Sequence, residues 1–124
     1  MNVISTTAAP AAIGPYSQAI EANGTVYVSG QLPIDPATGE FAPGGILAQA
    51  RQSLTNMRNI LAEAGLTMQN VMKVTVLLAD IADFAAVNEV YAEFFSAPFP
   101  ARSAFQVAAL PKGAGVEIEA IAVK

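Results

Sequence analysis

An α+β fold is predicted, with the order β-β-α-β-α-β-β and two helices packed on one face of a mixed sheet. Three observations predict it. Short runs of alternating apolar and polar residues are bounded by Gly, Pro and Asn turns, as strands are. Two longer segments, near 45–64 and 81–95, repeat apolar residues every three and four positions, as amphipathic helices do. The helical and strand segments alternate along a chain of 124 residues, short enough for one domain, 1–124. Two helices cover only one face of such a sheet, so the other face stays apolar and needs a partner.

Residues 1–15 are rich in Ala, Thr and Pro. Pro10, Gly14 and Pro15 forbid a regular helix there, and residues 3–5 are an optional edge strand. Tyr16 follows Pro15 directly and is presented by a stiff turn. Residues 17–21 and 25–30 read as two strands joined at Asn23-Gly24, both of which tolerate positive φ. Val26 and Val28 alternate with Thr25, Tyr27 and Ser29. The Ser29-Gly30 pair has two readings: close approach of a ligand to bare backbone, or a simple strand end.

The first helix, 45–64, places Leu47, Ala50, Leu54, Met57, Leu61 and Ala64 on one stripe. Gly65 supplies the left-handed residue that ends it, with Leu66 packing back. Arg51 and Arg58 share a solvated face. The strand at 72–79 sets Met72, Val74, Val76 and Leu78 on one face and Lys73 and Thr75 on the other. Lys73 is read as exposed or paired, because Lys is rarely buried. Asp80 caps the second helix, with Asp83 in its first turn, and the helical period runs to Phe95. Asn88, beside that apolar stripe, is a surface amide or a hydrogen-bonding partner of a loop entering a site. Two prolines in 96–100 stop the helix. The last strands, 103–110 and 116–123, flank a Pro/Gly turn and are expected to pair with each other.

Composition narrows the chemistry. Apolar residues make up 53% and charged residues only 13%, about half the usual charged share. So apolar a surface on a small domain points to subunit contacts. The net charge is −4, and the six basic residues (Arg51, Arg58, Lys73, Arg102, Lys112, Lys124) form no run, which disfavours nucleic acid as a partner. No stretch approaches bilayer length, and M-N-V-I-S-T-T lacks the pattern of a signal peptide, so a cytoplasmic location is expected. Cys and His are both absent. Thiolate nucleophiles, thiolate metal sites, His-based triads and the H-E-x-x-H zinc motif are therefore excluded. No metal and no cofactor are expected.

With charge so scarce, the stretch 99–119 stands out. Arg102 opens one apolar strand, and Glu117 and Glu119 share a face of the next with Ile121 and Val123. A carboxylate buried there without a partner is costly or protonated. Two readings fit: matched charges in a structural network, or a small-molecule site.

Over its whole length the sequence resembles the Rid family (reactive intermediate deaminases, also called YjgF), and within it the RidA group. The resemblance is carried by A-P-A-A-I-G-P-Y-S-Q at 9–18, V-S-G-Q-L-P at 28–33, T-G-E at 38–40 and A-R-Q-S-L-x-N at 50–56. It continues with F-A-x-V-N-x-x-Y-x-x-F-F at 84–95, F-P-A-R-S at 99–103, V-A-x-L-P-K at 107–112 and V-E-I-E-A-I-A-V at 116–123. Single pieces are weak; P-A-R-S followed by L-P-K and I-E-A at this spacing is specific. The resemblance implies a chorismate-mutase-like fold and a homotrimer with clefts between subunits. It further implies hydrolysis of 2-imino acids or their enamine tautomers, such as 2-iminobutanoate and 2-iminopropanoate, to 2-keto acids and ammonia. Such imines come from pyridoxal-phosphate enzymes such as threonine dehydratase.

Residue by residue, the resemblance implies that Arg102 binds the substrate carboxylate by its planar fork and that Glu117 positions or activates water. Tyr16 donates a hydrogen bond or relays a proton, Ser29 and Gly30 line the cleft, backbone near Ala104 holds water, and Asn88 shapes the entrance. Glu119 gains no role and is left as structural. Three departures bear on substrate range. Ala104 stands where many relatives have Cys, Ala109 stands where many have Arg, and the 96–99 segment is short. A competing expectation is a trimer that binds or senses small carboxylates without turnover. A third is an interaction protein, since RNA cleavage and translation inhibition are ascribed to family members.

Overall fold

The structure is a computed structural model and describes residues 1–124. Six strands form one sheet in the order β1-β2-β3-β6-β4-β5. They are β1 (Asn2–Ile4), β2 (Ala19–Ala22), β3 (Thr25–Gln31), β4 (Val71–Leu78), β5 (Ala101–Gln106) and β6 (Val116–Val123). Helix α1 (Gly45–Glu63) connects β3 to β4, and α2 (Phe84–Phe94) connects β4 to β5. Every neighbouring pair is antiparallel except β4 and β5, which run parallel. The predicted α+β layer is the observed one, and the optional edge strand is present as β1.

The core lies between the helices and one face of the sheet. Leu54, Met57, Ile60 and Leu61 of α1 and Val87, Val90 and Tyr91 of α2 pack on Val26, Val28, Val74, Val76, Leu78, Val116, Ile118, Ala120 and Ala122. Fully burying one such aliphatic side chain contributes about 1.5–3 kcal/mol. Helix α1 ends as its sequence requires. Gly65 takes φ 77°, its N–H donates to Ala62 O, and the Leu66 N–H donates back to Leu61 O at 2.9 Å. Leu47, on the predicted stripe, is instead largely exposed, while Ser53 and Asn56 are buried.

The opposite face has no covering layer. Paired positions place Tyr27, Ile121, Lys73 and Ala101 in one row and Glu117, Leu77 and Phe105 in another. Tyr27 is 51% and Phe105 47% exposed, so apolar area stays open on this face.

Three expectations are corrected. The last two strands do not pair. β6 inserts between β3 and β4, and β5 pairs only with β4. The crossover through α2 returns β5 parallel to β4, and residues 107–115 then carry the chain to the far side of β4. Strand β5 accordingly ends at Gln106 rather than Leu110. Met72 is not a core residue. A bulge shifts the β4–β6 register between Val71 and Lys73, so Val71 is buried and Met72 is 49% exposed. Asp80 caps a separate 3₁₀ turn (Ile81–Asp83), accepting from Ala82 N at 2.9 Å, and α2 starts only at Phe84.

Candidate active site

Strand β3 breaks register with β6 between Val28 and Gln31. Val28 lies opposite Ala120 and Gln31 opposite Ile118, so Ser29 and Gly30 together oppose Glu119. This bulge is held from three sides. The Ser29 N–H donates to Gln18 O, the Ser29 hydroxyl donates to Ser17 O, and the buried Gln31 amide donates to Ser29 O. Beside it, the Glu117 carboxylate lies directly over Gly30. A Cβ on Gly30 would overlap Glu117 Oε2 and sit 2.9 Å from Cδ, so only glycine leaves room for the acid.

Glu117 and Glu119 line one cleft of about 550 Å³ with Tyr16, Ser29 and Gly30. Tyr16 is half exposed, and its N–H donates to Gly14 O at 2.8 Å, as expected of a turn-presented side chain. Burial pushes the Glu117 carboxyl above the usual carboxylate range, and the neighbouring Glu119 charge adds to the effect. No third acidic side chain joins them in a metal-binding group. The chemistry available is that of a carboxyl with a raised pKa, two hydroxyls and exposed backbone.

Arg102 is elsewhere. Its Cα pairs with Val74, a core residue, so the side chain projects on the helix side of the sheet. Glu117 pairs with Leu77 and projects on the open side. The guanidinium donates from Nη1 to Asn88 Oδ1 at 2.7 Å and lies 4.7 Å from the Tyr91 ring centre and 5.3 Å from that of Phe84. Two aromatic faces and one amide thus orient a cation that remains exposed. Burial raises the Tyr91 phenol above its ordinary range, while Arg102 pulls it the other way. Ala104, on the same face of β5, packs against the core. Asn88 is therefore the partner of Arg102 rather than a free surface amide. Within one chain, Tyr16, Ser29, Gly30 and Glu117 come together; Arg102, Asn88 and Ala104 form a second group, outside that cleft.

A family model described as endoribonuclease L-PSP matches residues 6–124. The chain belongs to this family. It is also 62% identical over 123 residues to a protein of Capra hircus named 2-iminobutanoate/2-iminopropanoate deaminase, covering 99% of this chain and 90% of that one. Among solved structures, RidA from the Antarctic bacterium Psychrobacter superimposes with a TM-score of 0.96 at 49% identity, covering 100% of both chains. TdcF of E. coli, solved with bound serine, gives 0.96 at 47% identity, covering 100% of this chain and 99% of that one.

In this L-PSP family member, four cleft or support residues escaped the sequence reading. Glu119 was visible on the Glu117 face but had no assigned use. Lys112, at φ 58°, brings the one cationic side chain to the cleft, from a turn whose course the sequence did not fix. Gln18 is buried and fastens the N-terminal arm, donating to Thr6 O and Pro10 O and accepting from Thr6 N. Asn56 is buried on α1 and reaches the loop after β3. It lies three after buried Ser53 and four before buried Ile60, on the same arc of α1.

Proposed function

We propose that this protein hydrolyses 2-imino acids, such as 2-iminobutanoate and 2-iminopropanoate, or their enamine tautomers, to 2-keto acids and ammonia. The reaction takes place in clefts between the subunits of a homotrimer. Arg102 of one copy faces Glu117, Ser29, Gly30 and Tyr16 of the next. The observation that carries the reading is Glu117: a half-buried carboxyl, raised above its usual range, lying over a glycine in a cleft. Its chain is 56–62% identical, over 99% of its length, to mammalian proteins named for this activity. The division of Arg102 and Glu117 onto opposite faces supports a site assembled from two copies, and the uncovered apolar face supports subunit contact.

The chemistry balances with these groups alone. Arg102 binds the substrate carboxylate through charge-assisted hydrogen bonds, each worth about 1.5–3 kcal/mol. Ionised Glu117 takes a proton from water as its oxygen attacks the carbon of the protonated C=N group. Protonated Glu117 then gives that proton to the carbinolamine nitrogen. The C–N bond breaks, ammonia leaves, and Glu117 takes the hydroxyl proton as the C=O bond forms. That proton passes to ammonia, so iminium plus water becomes keto acid plus ammonium. A carboxyl raised toward the working pH serves as both base and acid. Tyr16 donates a hydrogen bond at the reacting centre, and backbone near Ala104 holds water beside Arg102. Removing such imines protects pyridoxal-phosphate metabolism from a reactive product.

The test couples a threonine dehydratase to this protein and follows keto acid and ammonia. Acceleration over buffer is expected, and its absence sinks the reading. Arg102→Ala should abolish the acceleration while sedimentation still shows a trimer.

One observation favours a second reading, binding without turnover. The similar TdcF was solved with serine, a small carboxylate. Tight calorimetric binding of 2-ketobutyrate, with every measurable function unchanged in Glu117→Ala, would select it. RNA is disfavoured as a substrate. Arg51 pairs with Glu93, Lys124 pairs with Glu21, and Arg58 lies over Phe94, leaving no basic stripe.

A further inference from the structure

Asn56 has no solvent exposure, yet it lies on α1, away from Glu117 and Arg102. Its amide Nδ2 donates to Ile34 O at 2.8 Å and to Leu32 O at 3.2 Å. Its Oδ1 accepts from Gln52 Nε2 at 2.9 Å. The two loop carbonyls can be met only by the Nδ2 end of the amide, and the Gln52 bond then satisfies its Oδ1. Leu32 and Ile34 both line the cleft that holds Glu117. The wall they form follows the Ser29-Gly30 bulge closely; Pro33 between them has no N–H, and its carbonyl accepts from Ala42 N–H at 3.0 Å, which leaves the flanking carbonyls to Asn56. Both carbonyls turn toward the helix to meet the single amide. A residue whose only role was packing would be apolar here, because burying an amide is unfavourable unless its bonds are made.

We propose that Asn56 is a positioning residue for substrate: it fixes the Leu32–Ile34 wall of the cleft that holds the catalytic carboxylate, and Gln52 holds the other end of its amide. The proposal rests on the deaminase reading for its kinetic consequence. Glu117 reaches the cleft from β6, to which Asn56 makes no hydrogen bond, so losing Asn56 loosens substrate binding and leaves the chemical step largely intact.

Asn56→Asp keeps the shape and replaces two N–H donors with an oxygen facing two carbonyl oxygens. In the coupled deaminase assay above neutral pH, a KM rise of about 10-fold with little change in kcat is expected. As pH falls and the new carboxyl is protonated, its O–H can donate to Ile34 O, and KM returns toward the parent value at the same pH. A KM equal to the parent's at every pH overturns the proposal. So does a defect that is the same at every pH, or one confined to kcat. If Asn56→Asp does not fold, Gln52→Leu removes the orienting bond, and a KM rise of about 3-fold is expected; an unchanged KM overturns the proposal.

Amide hydrogen exchange of the 31–35 segment provides a readout independent of turnover. Faster exchange at that wall in the variant, at high pH only, is expected, and unchanged exchange overturns the proposal. Failure of the deaminase reading would show separately, as a parent protein without turnover.

Discussion

Glu117 sits in a cleft lined by its own chain, whereas Arg102 stands on the other face of the sheet, exposed at the edge strand. The acid is desolvated, crowded against Gly30 and repelled by Glu119. The base is solvated, stacked on Tyr91 and Phe84 and aimed by Asn88. The difference teaches where each property is stored. The raised titration of Glu117 is set within a single chain, by burial and a like charge of that chain. Arg102 is only oriented there; in the proposed shared cleft its grip on a carboxylate would strengthen as water is excluded.

The largest effect should come from breaking the acid half. Glu117→Gln is expected to lower kcat by about 10²–10⁴-fold while 2-ketobutyrate binding, measured by calorimetry, persists. The same variant should be the more heat-stable protein near neutral pH. A carboxyl whose folded-state pKa is raised contributes stability below its ordinary pKa and loses it as pH rises through the elevated value. The melting-temperature gap in favour of the Glu117→Gln variant should therefore widen as pH is raised through that interval, and a gap that narrows contradicts the assignment.

Combining the halves sharpens the comparison next. Arg102→Ala and Glu117→Gln proteins, each inactive, should regain activity when unfolded together and refolded. Random mixing in a threefold ring gives about one quarter of the clefts both working groups. Recovery far below that fraction would argue against clefts shared between copies. Gly30→Ala displaces the acid without touching the arginine, and a kcat loss of about 100-fold is expected. A crystal structure of that variant with Glu117 unmoved would remove the steric explanation.

Smaller effects should come from the supports. Asn88→Ala leaves Arg102 stacked but unaimed, so steady-state kinetics should show KM rising about 3–10-fold with kcat nearly kept. Glu119→Gln removes the like charge beside Glu117, so the acidic limb of the pH–rate profile should move to lower pH. An unmoved limb would mean that burial alone sets the Glu117 titration.

The fold was legible wherever one periodicity dominated. The α1 stripe, the Gly65 stop and the Asn23-Gly24 hairpin depend on residues near each other in sequence, and each is present. Strand order was not legible, because an alternating strand such as Val116–Val123 fits beside β5 as well as between β3 and β4. Pairing the last two strands with each other set Arg102 and Glu117 on neighbouring strands, whereas β4 lies between them. The bulges at Met72 and at Ser29-Gly30 reverse which residues face the core, and no local pattern announces a one-residue slip. Tyr16, Ser29, Gly30 and Glu117, each singled out from the sequence, line one cleft. Asn56 and Gln18 were missed because a buried amide is distinguished from a surface one only by partners distant in the chain.

The placement of β6 has a consequence for how the molecule comes into being. This strand bonds to β3 on one side and β4 on the other, yet it follows every other strand in the chain. Until it docks, β1-β2-β3 and β4-β5 are two separate ribbons with no shared edge. Both ribbons must wait for a segment distant in sequence, most of all β3, whose Thr25 pairs with Val123, a topology that folds slowly. The carboxylate strand is thus also the seam of the sheet. A nascent or C-terminally clipped chain would have neither a closed core nor a Glu117, so the reactive acid and the finished fold arrive in the same event.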